Sequence, residues 1–160
     1  MRTSILLVLI IFAVSCRNHK GNTSTKNLTV TGDSVRLMAE SIAINVSHNG
    51  PAAWLNYFEN SSDFFMASEG QLVFPNIDTA KSFINNVLIK SIRKIDLHWS
   101  NLRVDPLTLK FAGISAGFHE DITDSSGKTI PEDGYFTAIA HRTSQGWKLR
   151  NAHWSIKANH

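Results

Sequence analysis

Three histidines, His119, His141 and His153, each stand alone in a stretch that alternates apolar and polar residues as a strand does. Residues two apart on a strand share a face, so pairing in even register would bring all three imidazoles to one side of a sheet. Three converging imidazoles could hold zinc and leave a position open for a ligand. The spacing gives no such signal, because no His-Glu-x-x-His and no close histidine pair occurs. No metal and no cofactor is therefore expected. His98, between Asp96 and Trp99, reads as an exposed strand residue, and His160 lies at the chain end. The remaining reactive side chain is Cys16, the only cysteine.

Cys16 closes the run MRTSILLVLIIFAVSC. One cation, Arg2, precedes an apolar stretch from Ile5 to Val14, and small residues follow. That run is too short to cross a hydrocarbon core as a helix, which takes about 20 residues. It has the charged start, apolar middle and small-residue end of a secretion signal. Ala13-Val14-Ser15-Cys16 also resembles the bacterial lipobox, in which the Cys becomes the lipidated first residue. Cleavage leaving a free Cys16 thiol, and an uncleaved anchor, are the alternatives. The expectation is an exported protein of the bacterial cell envelope, lipid-anchored through Cys16. Residues 1–15 would be the signal peptide, 16–32 a flexible tether, and 33–158 one domain. The polar run after Arg17 supports the tether, since it cannot bury enough apolar area to offset its ordering entropy.

The chain carries 16 Lys+Arg and 13 Asp+Glu, a net charge of +3. These charges are scattered singly, unlike the clustered cations of nucleic-acid binders, so no nucleic-acid partner is expected. No second long apolar run is present, which limits membrane contact to the lipid anchor. Without a second cysteine the domain has to stand on its apolar core.

Within the domain, Asp33 or Ser34 could cap a helix carrying Val35, Met38, Ile42 and Val46 at helical spacing, up to Asn49-Gly50. Pro51 suits the first turn of a shorter second helix. Phe64 to Ala67 and Gln71 to Phe74 read as strands joined at Glu69-Gly70. Asp78 is expected to cap a third helix running to about residue 94. Four strands follow, near 94–104, 109–121, 134–143 and 146–157, with a loop from Asp124 to Asp133. Helices on one face of a strongly curved antiparallel sheet form an α+β fold.

The order of elements, the segment PAAWLNYFENSSDFFMAS and the closing GYFTAIAHRTSQGWKLRNAHWS resemble the nuclear transport factor 2 superfamily, in its SnoaL-like and association-domain branch. The closing alternation carries most of the likeness. Trp147, Leu149, His153 and Ser155 stand where relatives have their Gly-Trp turn, aliphatic and His-x-His-x-Ser. Asn151 replaces the first His. The resemblance covers roughly residues 33 to 157 and implies a cone-shaped, strongly curved antiparallel sheet with three helices over its concave face.

It also implies a pocket between sheet and helices. The apolar strand set Ala112, Ile114, Ala116, Phe118, Phe136, Ala138, Ala140, Ala152, Trp154, Ile156 is then assigned to that side. The expected ligand-binding residues are Trp54, Tyr57, Phe58, Phe118, Ala138, Ala140 and Trp154. The other reading is that the alanines only let helices pack close. Enzymes of this likeness use a pocket carboxylate, and at the matching point only Asp63 remains beside Asn60-Ser61-Ser62. Asp63, with Tyr57 or a histidine, is the catalytic candidate. No acid is expected on the apolar set. The opposite face would carry Phe111, Tyr135, Ile139, Trp147 and Leu149 with the three histidines and Asn151, and would pair two subunits into a homodimer.

Two functions follow as expectations. The first is a tethered domain that binds a small apolar or aromatic molecule without catalysis. The alternative is an isomerase, dehydratase or hydrolase using a pocket carboxylate, and a structural assembly module is the third. A buried carboxylate in the pocket would select the enzyme.

Overall fold

A computed structural model describes residues 20–158. Cys16, the signal peptide and His160 lie outside the described residues. Helix α1 (Lys20–Asn49) is followed by a 3-10 helix (Pro51–Asn56) and a hairpin, β1 (Phe65–Ser68) and β2 (Gln71–Phe74). Next comes α2 (Ile77–Phe83), continued by a π turn (Ile84–Leu88) and a last α turn, α3 (Ile89–Ser91). Four strands close the chain: β3 (Ile92–Pro106), β4 (Phe111–Asp124), β5 (Thr129–Thr143) and β6 (Gly146–Ile156). They form one six-stranded sheet in the order β2-β1-β6-β5-β4-β3. The helices cover one face of this curved sheet, an α+β cone. The sheet is antiparallel except where β1 runs parallel to β6.

Local chemistry explains the sharp stops. Gly50 takes φ +75° and donates to the Val46 carbonyl at 2.9 Å, ending α1, and Pro51 opens the 3-10 helix. Glu69 and Gly70 both take positive φ, as a two-residue hairpin turn demands.

Three boundaries differ from the sequence reading. Helix α1 begins at Lys20, so much of the expected flexible tether is helical. Ser34 does not cap; its hydroxyl donates back to the Val30 carbonyl at 2.8 Å inside the helix. Tertiary contact holds this part: Thr31 is buried, and Gly32 lies so close to Pro106 that a Cβ would meet its ring at 3.0 Å. Asn76, not Asp78, caps α2, its side chain accepting from the Thr79 amide at 2.9 Å. The expected loop from Asp124 to Asp133 is mostly strand, since β5 already pairs with β4 at Thr129.

The concave face is the apolar set, except that Ile156 at the end of β6 is exposed. Ala112, Ile114, Ala116, Phe118, Phe136, Ala138, Ala140, Ala152 and Trp154 are all buried. The far end of β6 departs from simple alternation. Ile139 pairs with Asn151 but Ala140 pairs with Leu149, so Arg150 is skipped as a β-bulge. Beyond it the facing reverses. Leu149 (0 % exposed) and Trp147 (8 %) join the core, correcting their placement on the outer face.

Candidate functional site

A cavity of about 250 Å³ opens between the sheet, the 3-10 helix, the hairpin and the α2 segment. Its aromatic wall comes from Trp54 and Phe58 of the 3-10 region, Phe136 of β5 and Trp154 of β6. Trp54 meets Trp154 edge-on with centroids 5.6 Å apart, and Phe118 packs behind Trp154 at 4.1 Å. These contacts fix the rings, so the wall is preformed. Met66 and Phe74 from the hairpin, with Phe83, Ile84 and Leu88 from the helix, complete the entrance side. The π turn carries Ile84 and Leu88, and such wide turns often mark functional sites in helices.

One ionisable group lines this cavity: Glu120 of β4, 6 % exposed. Among the described residues no donor hydrogen-bonds its carboxyl. Burial pushes its pKa up to about 7, Glu132 adds to the rise, and His119 opposes it. Glu132 sits directly across on β5, on the same face, and is half-buried. The concave face therefore does carry an acid, contrary to the sequence reading. β4 runs on to Asp124, and period two carries 112, 114, 116 and 118 one step further to 120. Extending the alternation by a single pair would have found it.

The residues expected at the pocket divide. Trp54, Phe58 and Trp154 line the cavity, and Phe118 supports it from behind. Tyr57 does not reach it. Its hydroxyl donates to the Ser41 carbonyl at 3.0 Å and accepts from Asn45, pinning the 3-10 helix to α1. Ala138 and Ala140 are buried in the core and do not line the cavity. Ala152 is the alanine that leaves the space open.

Asp63 lies outside the cavity. It is exposed and held at 2.8 Å by the guanidinium of Arg150, the bulge residue. Arg150 also stands 3.5 Å from buried Glu59, which contacts His141 Nδ1 at 3.0 Å and accepts from Ser61 at 3.1 Å. His141 stacks on Phe111 with centroids 4.5 Å apart. This network ties the 59–63 loop to β5 and β6. His119 contacts Asp133 at 2.9 Å, which raises its pKa, and His153 pairs with Thr137 in another row of the sheet. The three histidines share the outer face without converging. No cluster of metal-ligating side chains is present among the described residues.

An apolar, preformed cavity with one carboxylate at its wall can hold a small uncharged molecule and move a proton at it. The helices and curved sheet that shape it match solved structures. A scytalone dehydratase-like protein from Novosphingobium aromaticivorans superposes with TM-score 0.71 at 13% identity, covering 84% of this chain and 89% of that one. The fold is the nuclear transport factor 2-like cone. A hexachlorocyclohexane dehydrochlorinase (LinA) Type2 aligns with TM-score 0.66 at 14% identity, over 84% of this chain and 90% of that chain. A ketosteroid isomerase-like protein from Erwinia carotovora atroseptica aligns with TM-score 0.63 at 11% identity, over 80% and 97%. No family model and no curated protein matches the chain by sequence.

Proposed function

We propose that the protein is an enzyme of the isomerase or dehydratase kind, acting on a small, uncharged, largely apolar molecule. The observation that carries this is Glu120, the single ionisable group in an otherwise apolar cavity. A carboxyl with a pKa near 7 is present in both forms at neutral pH. It can take a proton from carbon and return it, to the same skeleton or to a departing group. An anionic substrate is disfavoured, since the cavity offers no cation to pair with it. The volume is below that of most drug-sized sites, which sets the substrate at one or two rings. Pure binding is the second reading, favoured by the apolar aromatic wall.

Deuterium exchange separates the two. Small cyclic and aryl ketones incubated with the protein in D₂O are followed by proton NMR. Catalysed exchange next to the carbonyl, lost by at least 100-fold in Glu120→Gln, is the expected result. If no compound exchanges faster with the native protein than with Glu120→Gln, the catalytic reading fails and binding remains.

Export and a lipid anchor at Cys16 belong to the same proposal, on the strength of the leader's pattern. Cys16→Ala is expected to leave the membrane fraction after a salt wash. Retention there would overturn the anchor.

A further inference from the structure

The cavity's entrance is bordered by apolar side chains that face solvent. Phe83 lines the cavity and is 40 % exposed. Val87 (49 %) and Ile89 (44 %) flank Leu88, another lining residue. Phe74 of the hairpin packs its ring on Phe83 at 5.4 Å, while Leu72 pairs with Ala67 on the opposite face of the sheet. Three exposed apolar residues on one short helical segment, Phe83, Val87 and Ile89, are more than scattered surface hydrophobes.

The α2–α3 segment itself carries mainly cations, with Asp124 of β4 paired across from Ile92 at its end. Between Asp78 and Asp96 the chain carries Lys81, Lys90, Arg93 and Lys94 and no carboxylate. Lys81 donates to Asn60, and Lys94 is paired with Asp96. Lys90 and Arg93 are exposed and paired with no carboxylate among the described residues. On the facing hairpin the one acid, Glu69, accepts from the Ile156 amide at 2.6 Å, which holds its carboxylate toward β6. Apolar side chains beside unpaired cations are the pattern of a segment that lies in a membrane interface. No described helix is long and apolar enough to cross a membrane, so the contact is with a surface.

We propose that the α2–α3 segment docks on an anionic phospholipid surface and sets the cavity's mouth against the acyl boundary. Lys90 and Arg93 meet the headgroup phosphates, and Val87 and Ile89 enter the interface. A molecule dissolved in the bilayer then reaches the cavity without crossing water. That last step rests on the cavity being a ligand site; the docking itself does not.

The test is vesicle flotation of the full chain, with phosphatidylcholine alone and with phosphatidylcholine containing phosphatidylglycerol. The leader is present in every arm, so the ratio between variants is what counts. Against the anionic vesicles at low salt, Lys90→Glu/Arg93→Glu is expected to weaken binding at least tenfold, with little change on phosphatidylcholine. Raising the salt should narrow that difference. Val87→Ser/Ile89→Ser should weaken binding to both vesicle types. Thermal unfolding of each variant confirms that the fold persists. If neither variant weakens flotation, or only the charge reversal does, the proposal is overturned. Deuterium exchange by the same variants in vesicle-free buffer is read separately, so a failure of docking and a failure of catalysis are told apart.

Discussion

Glu120 and Glu132 face each other across β4 and β5, one buried in the cavity and the other half-open to water. Directly opposite residues on one face bring their Cβ atoms within about 5 Å, so the two carboxyls resist ionising together. Glu132→Gln is expected to lower the Glu120 pKa. Burial is the larger cause, so the value should stay above 4.5. A carboxyl carbon-13 NMR titration checks both parts, and an unchanged Glu120 would remove Glu132 from the account.

The same carboxyl ties stability to pH. Glu120 binds its proton more tightly folded, at about 7, than unfolded, at 4.5, so its contribution is complete below 4.5. It is lost as pH rises through about 7, at a cost approaching roughly 3 kcal/mol. Glu120→Gln should therefore be clearly more stable than the native chain at pH 8.5 and close to it at pH 4.5. Urea denaturation at the two pH values gives the comparison. Equal stability at both would mean the carboxyl is better hydrated than its burial implies.

Ala152 keeps the cavity open, so Ala152→Phe should fill it. Uptake of a small aryl ketone, measured by calorimetry, is expected to disappear, while stability falls by about 1–3 kcal/mol. Ala138, buried across from Ala152 but not lining the cavity, gives the control: Ala138→Phe should overpack the core and destabilise the fold. Uptake surviving in Ala152→Phe would place the ligand elsewhere.

We also propose a two-fold dimer through the outer sheet face, with Tyr135, Ile139 and Phe111 as anchors. Tyr135 is 52 % exposed there. A dimer mass by light scattering at micromolar concentration is expected for the native chain and a monomer for Tyr135→Asp. On that face His119 contacts Asp133 at 2.9 Å and stands across from His98 of β3. The mass is read at neutral pH and at pH 5. A native monomer at both pH values would leave that face without this role.

Much of the cone was legible because its punctuation is local. Gly50-Pro51 must stop one helix and start another, and Glu69-Gly70 must turn a hairpin, whatever surrounds them. The early start of α1 was hidden because Lys20 to Gly32 is polar. Part of it is held by contact with Pro106, a residue far along the chain. At the site, aromatic Trp54, Phe58 and Trp154 stood out by size. Glu120 did not, since its alternation was cut short at Phe118. Asp63 stood out by position, yet Arg150 holds it at the surface, away from the cavity.

Arg150 has a wider consequence. Because the pairing skips it, β6 consists of two half-strands in opposite phase, joined at one residue. Removing that residue would leave unbroken alternation with Trp147 and Leu149 still facing the core, whereas pairing it without a bulge would turn both to the outer face. Ala152 and Trp154 would keep their facing. The strand's two ends are thus free to diverge under different constraints: one answers to the contents of the cavity, the other to the closure of the cone.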